Sequence, residues 1–204
     1  MSLFNEVWVE LFSTRGIHML IEAPKRLFTV DEYYRMGEAG ILTEKDRVEL
    51  VNGEIILKSP IGPKHQANVD RATVAFTTLL LGKAIVRIQG PVRIDNYNEP
   101  QPDVSLLRFR PDFYAAKHPG PEDSLLAIEV SDTTFRYDRE VKLAIYAISR
   151  IPEYWIEDLN KDVILVFRNP ERDGYDSLLT FHRGESISPL AFPEASFKVD
   201  DLLA

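Results

Sequence analysis

From Phe28 onward, apolar and polar positions follow two rhythms, one helical and one alternating, and each change of rhythm marks a new element. Thr29-Val30-Asp31-Glu32 has the form of a capping box, with Thr29 as N-cap and Glu32 as N3, and Phe28 and Tyr33 stand where a hydrophobic staple would. A short helix to about Gly37 is expected. Val48–Val51 and Glu54–Leu57 then flank Asn52-Gly53, a pair that tolerates the positive φ of a type I′ turn, so this stretch predicts a β-hairpin. Pro60 and Pro63 end it.

Between Lys64 and Leu81, Ala67, Ala72, Ala75, Phe76, Leu79 and Leu80 recur at helical spacing, and Gly82 stops the run. Short β-rich runs follow at Ala84–Ile88, Val92–Ile94, Val104–Leu107 and Leu125–Val130. A second long helix is predicted from Asp138, its N-cap, to Ser149, with Val141, Ile145 and Ile148 as its apolar stripe and Pro152 just beyond. Glu153–Ile156, Val163–Phe167 and Leu178–Phe181 complete the strands. The order implies an α/β chain with one central mixed sheet flanked by helices.

Composition adds limits. The 204 residues suffice for one domain with a proper core, and 45% hydrophobic with 27% charged residues is the balance of a globular protein. No repeat, linker or shift of composition divides the chain. Residues 1–26 read as an N-terminal extension, Met19 as an alternative start, and residues 27–204 as the domain. Cysteine is absent, which removes disulfides and thiolate metal sites and agrees with a cytoplasmic setting. No run reaches the ~18 apolar residues of a membrane span, and Glu6 and Glu10 with no basic start argue against a signal peptide. A net charge of −8 disfavours tight non-specific binding to nucleic acid, whose affinity rests on cations. It is compatible with a carboxylate site that attracts phosphate only after binding metal.

Three polar residues stand where strand and helix patterns do not call for them. Asp103 follows Pro102 at the head of an apolar strand, and Glu129 interrupts Leu125-Leu126-Ala127-Ile128. A carboxylate inside such a run costs several kcal/mol unless it is paired or bound to a cation. Lys142 follows in the first turns of the next helix. Two carboxylates from different strands suit Mg²⁺, which prefers oxygen ligands, and a lysine beside them suits the charge of a phosphoryl transition state. Each residue also has a plainer reading: Asp103 as a turn, Glu129 on a half-exposed strand face, Lys142 on a solvated helix face. Glu49 alternates with Val48 and Leu50 and is expected at the surface, and His65 as a cap or surface group.

In this order the landmarks resemble the Uma-two family of restriction endonucleases, a bacterial family within the PD-(D/E)XK nuclease superfamily. They are Thr29–Tyr33, Glu49–Glu54, His65, Pro102-Asp103-Val104, Glu129-Val130-Ser131, Asp138-Arg139, Lys142, Tyr146 and Glu153-Tyr154-Trp155, spread over residues 27 to 203. The resemblance implies a restriction-endonuclease-like fold and a metal-dependent endonuclease hydrolysing DNA phosphodiester bonds. It implies Asp103 and Glu129 as metal ligands for Mg²⁺, for which Mn²⁺ can substitute, with Lys142 and Glu49 completing the catalytic set and His65 and Tyr146 as accessory groups. The superfamily lysine stands two residues after the second acid, where this chain has Ser131, so Lys142 would be that lysine migrated to the following helix. Cutting both strands of a duplex favours a homodimer. The competing classes are a silent nucleic-acid or protein-binding module on the same fold and a hydrolase of another phosphoester.

Overall fold

The computed structural model describes residues 24–172 and 174–204; the expectations for the first residues of the chain, including Met19, fall outside these. Helix α1, Val30–Glu38, starts on the expected capping box: Glu32 N–H donates to Thr29 Oγ1, and the Glu32 carboxylate accepts from Thr29 N–H. Strands β1, Val48–Val51, and β2, Glu54–Leu57, pair antiparallel in the register Val51↔Glu54. Asn52 and Gly53 take the left-handed conformation, with φ of 51° and 72°. Helix α2 spans Pro63–Leu80, and Gly82 (φ 74°) follows it. Its buried stripe is Asn68, Val69, Ala72, Phe76 and Leu80, whereas Leu79 faces outward.

Strands β3 (Ala84–Ile88), β4 (Val104–Arg108), β5 (Ser124–Ser131), β6 (Glu153–Asp158), β7 (Val163–Pro170) and β8 (Tyr175–His182) form one six-stranded sheet in sequence order. All neighbours are antiparallel except β5 and β6, which run parallel. That parallel step requires a crossover, and the helical segment between residues 135 and 148 supplies it. Val92–Ile94 is not a strand. After Pro91 the chain doubles back on itself, and Val92 and Ile94 donate to the Pro100 and Asn98 carbonyls.

The crossover departs from the predicted single helix. It consists of a helical turn α3, Phe135–Tyr137, a π-helical turn, Asp138–Lys142, and helix α4, Leu143–Ile148. Asp138 is therefore not an N-cap; Thr134 precedes the helical run, and Asp138 lies buried inside it. The buried face is Asp138, Lys142, Ile145 and Tyr146, at helical spacing, with Ala147 beside it, whereas Ile148, the last residue of the expected apolar stripe, is exposed.

The sheet separates two apolar layers. Beneath it α2 packs Val69, Ala72, Phe76 and Leu80 against Val104, Leu106, Leu126, Ile128, Val130 and Trp155. A two-stranded ribbon, β9 (Ser186–Ile187) with β10 (Phe197–Lys198), and helix α5 (Val199–Leu202) close that layer. On the other face Ala127, Tyr154, Ile156 and Phe167 meet Tyr146 and Ile151. Every residue of β5 is buried, because β4 and β6 flank it and both faces are covered. Glu129, two residues from Ala127, therefore points to the α4 side with no route to a solvated face. Among the described residues, no helix is long and apolar enough to cross a membrane.

Gly53 and Gly40 offer a paired test of the hairpin. Both have positive φ, but a Cβ at Gly53 would meet Leu27 Cβ at 2.7 Å, whereas nothing lies within 4 Å of one at Gly40. Gly40→Ala should lower stability by about 1 kcal/mol, the cost of the backbone conformation alone. Gly53→Ala should lose roughly twice that in urea denaturation; equal losses would contradict a tight packing of the 27–28 segment on the turn.

Candidate active site

The parallel strand β5 carries Glu129 toward α4, and the crossover presents Lys142 to it from the buried helix face. The Lys142 ammonium lies 3.0 Å from Glu129 Oε1 and 3.2 Å from Glu49 Oε1. Tyr146, one turn further, donates its hydroxyl to the same Glu129 oxygen at 3.0 Å. Glu49, from β1, is fixed on its other oxygen by the Gln101 N–H at 2.9 Å. The hairpin thus lies over the sheet end with Glu49 turned inward, and the expectation of surface exposure fails: Glu49 is 2% exposed, Glu129 3% and Lys142 3%. An isolated bridge between Leu50 and Glu99 holds β1 against the returning chain, which leaves Glu49 covered on both sides.

Asp103 stands one position beyond the Val104↔Ile128 pair, in the register that faces Glu129. Its Oδ2 accepts the Val130 N–H at 2.9 Å and lies 3.1 Å from His65 Nε2, and its Oδ1 accepts from Gln89 at 3.3 Å. His65 comes from the first turn of α2, half-buried, so it is a partner of Asp103 and not a cap. The predicted residues are accordingly brought together in one place by separate elements. Glu129, Lys142, Tyr146 and Glu49 are in direct contact, and Asp103 with His65 joins them through the backbone of Val130.

The electrostatics stem from too many acids around one cation. Burial opposes the charge of Lys142, but Glu129 and Glu49, then Asp138 and Asp103, outweigh it and hold the ammonium well above its usual range. Burial pushes the Glu129 carboxyl up to about 8, with Lys142 opposing and Asp138, Asp103 and Glu49 adding to the rise. Asp103 goes the other way. Burial raises it, yet His65, the Val130 N–H and Lys142 together keep it below the ordinary carboxylate range. Two carboxyls on neighbouring strands are thus driven apart in acidity by their partners, as in many acid and base pairs.

Five further residues around the site are not marked for chemistry by the linear sequence. Asp138, raised mainly by burial, accepts from Ser131 Oγ and Thr134 Oγ1, each at 2.7 Å. Ser131, at the superfamily lysine position, therefore anchors the crossover. The ring of Tyr137 lies 5.8 Å from the Lys142 ammonium, a pairing that only the π turn makes. Gln101 acts through its backbone. Glu157 pairs in register with Val130 and is fully buried, and among the described residues neither of its carboxylate oxygens has a partner. Burial, then the charge of Asp103, pushes it well above the ordinary carboxylate range. Its place is readable only once the parallel pairing is known.

As a metal site, the donor set has a definite shape. Among the described residues no group of three or more His, Cys, Asp or Glu side chains is arranged to hold an ion. Asp103 and Glu129 supply hard oxygens at facing strand positions, which fits Mg²⁺, since that ion commonly takes one or two carboxylates and completes its shell with water and phosphate.

The Uma2 family model, described as "Putative restriction endonuclease", matches residues 30–200. The chain belongs to the Uma2 family. No curated protein sequence matches it. Among solved structures, it is similar to one described as "a putative nuclease belonging to DUF820" from Anabaena variabilis ATCC 29413, with 14% identity and a TM-score of 0.64. The likeness covers 86% of this chain and 97% of that one. At that identity it speaks for the fold alone, which is restriction-endonuclease-like, a mixed sheet flanked by helices. In this Uma2 chain Lys142 lies in the π turn, and Ser131 stands two residues after Glu129 on its strand.

Two stability measurements test the electrostatics. An unfolded Glu129 carboxyl titrates near 4.5 and the folded one near 8. Between these values the folded state holds the extra proton, so this group makes stability fall as pH rises. Glu129→Gln should flatten the decline in urea midpoint between about pH 5 and about pH 8; an unchanged slope would refute the raised carboxyl. Lys142→Met should cost about 3–5 kcal/mol by leaving Glu129 and Glu49 buried without a cation. Pairing it with Glu129→Gln should recover a measurable part of that loss in a double-mutant cycle.

Proposed function

We propose that this protein is a Mg²⁺-dependent endonuclease that hydrolyses DNA phosphodiester bonds, with Asp103 and Glu129 as metal ligands. One observation carries the reading: the contact of the Lys142 ammonium with both Glu129 and Glu49, beside Asp103, assembled from β1, the head of β4, β5 and the crossover. Membership of a family described as "Putative restriction endonuclease" supports it. The ion would act as a Lewis acid and lower the pKa of a bound water.

The chain's own groups divide the remaining work. Asp103, kept ionised by His65 and the Val130 N–H, is a ready anionic ligand. Glu129 becomes one when it gives up its proton, and Lys142 and Tyr146 orient its Oε1. Lys142 then presents a fixed positive charge to the phosphate as negative charge builds on its oxygens. Glu49 holds the lysine from the other side. His65, through Nε2 on Asp103, keeps that carboxylate aimed. These groups are nearly inaccessible, so in this reading the cluster would have to open for a substrate to reach them. The reading includes a homodimer whose two sites face the two strands of a duplex, working in the cytoplasm. It treats residues 27–204 as the catalytic domain and residues 1–26 as an extension.

The test is nicking of supercoiled plasmid with Mg²⁺ or Mn²⁺, alongside calorimetric metal titration, on variants whose circular dichroism shows them folded. Asp103→Asn should lose metal affinity and cleavage together, because it deletes a charged ligand. Lys142→Met should keep metal affinity and lose cleavage by roughly 10² to 10³. Wild-type protein that binds metal and DNA but cuts neither duplex nor single strands would instead identify a silent binding module.

A further inference from the structure

A cavity apart from the acid–lysine cluster is lined by Glu99, which bridges to Leu50. It measures about 740 Å³ and opens between α1 and the segments around residues 93–99 and 116–122, a size within the ~300–1,000 Å³ of small-molecule sites. Glu99 lines it and is 2% exposed. Its Oε1 accepts the Tyr34 hydroxyl at 2.6 Å, while among the described residues Oε2 has no partner. A buried carboxylate oxygen left without a donor carries a desolvation penalty. Oε2 lies just beneath the cavity surface, so a ligand's N–H groups would meet it once the Glu99 side chain turns outward. Nothing in the proposed cleavage chemistry uses it.

The other walls specify the ligand's shape. Tyr34 and His118 stack nearly parallel, with centroids 6.2 Å apart and 23° between planes, and present aromatic surface to a flat ring. Arg35 and Lys117 supply cations at the cavity wall. Arg93 is engaged with Asp31 at 2.7 Å. Asp31, Glu38 and Glu122 also line the cavity, so a polyphosphate would be repelled and a single phosphate tolerated.

We propose that this cavity binds a guanine nucleotide bearing one phosphate, either free or as an unpaired residue of a nucleic-acid strand. Glu99 would read the base, the Tyr34–His118 pair would stack on it, and Arg35 and Lys117 would hold the phosphate. Guanine is the base whose Watson–Crick edge offers two adjacent donors, N1–H and N2–H, to one carboxylate. Adenine and cytosine place an acceptor next to their amino group, and thymine has a single donor. Burial holds the Glu99 carboxyl above its ordinary range, only partly opposed by the Tyr34 hydroxyl and by the charges of His118 and Arg93; two N–H donors from guanine would favour its ionised form.

Binding is read by calorimetry without metal, so that it is independent of cleavage. GMP should bind at least about tenfold more tightly than AMP, CMP or TMP, and guanosine more weakly than GMP. Glu99→Gln should weaken GMP binding by roughly tenfold to a hundredfold, the effect expected of one bidentate base contact. His118→Ala, at an exposed position that leaves the fold intact, should weaken GMP binding several-fold, and Asp103→Asn should leave it unchanged. If GMP fails but oligonucleotides with an unpaired guanine bind in a Glu99-dependent way, the strand is the source and the proposal stands. Equal affinity for all four nucleotides, binding of free arginine in preference to GMP, or no binding of GMP or oligonucleotide at millimolar concentration would overturn it.

Discussion

The buried ammonium of Lys142 is the constraint on which the arrangement of this protein turns. A lysine with 3% exposure is tolerated only where anions surround it, and this one draws Glu129 from the sheet and Glu49 from the hairpin onto a single point. Each carboxylate is in turn tied elsewhere: Glu49 to the Gln101 N–H, Glu129 to the Tyr146 hydroxyl. The hairpin, the loop after Pro100, the central strand and the crossover are therefore linked through one charge. Any one of them displaced would leave a buried ion without its partner, a loss larger than that of a surface ion pair.

The spacing of the crossover makes the contact possible. Asp138, Lys142, Ile145 and Tyr146 stand at i, i+4, i+7 and i+8, which is one helix face, and this face turns to the sheet in place of the apolar stripe of Val141, Ile145 and Ile148. Ile148 is left 63% exposed. The π turn adds the approach of Tyr137 to Lys142, five residues apart, and single π turns recur at functional sites. Ser131 and Thr134 satisfy the buried Asp138 carboxylate.

Legibility in the sequence tracks the range of the interaction. The capping box of α1, the Asn-Gly hairpin and the extent of α2 are decided by neighbouring residues, and pattern alone places them. Glu129 is marked by its own incongruity inside an apolar run. Lys142 draws notice only beside the two acids, and Glu49 and His65 look unremarkable locally, so that only the family resemblance singles these two out; the structure brings all three to the cluster, while their roles are those proposed above. The hidden features are non-local. The π turn has no sequence signature that separates it from an α-helix, the ribbon β9–β10 is two residues long on each side, and the burial of Glu157 depends on a parallel register between strands separated by the whole crossover.

The charge count gives the closed cluster its chemical sense. Four carboxyls, Glu49, Asp103, Glu129 and Asp138, act on one ammonium, so the site is short of positive charge. It meets the shortfall by leaving Glu129 with its proton up to about pH 8. A site already balanced would gain nothing from a cation, whereas in the metal-dependent reading proposed above this one would exchange a proton for it. Burial pushes the Glu157 carboxyl, opposite Val130, well up as well. In that reading Lys142 would hold Glu49 and Glu129 together before substrate binds, with its charge already in position for a phosphate.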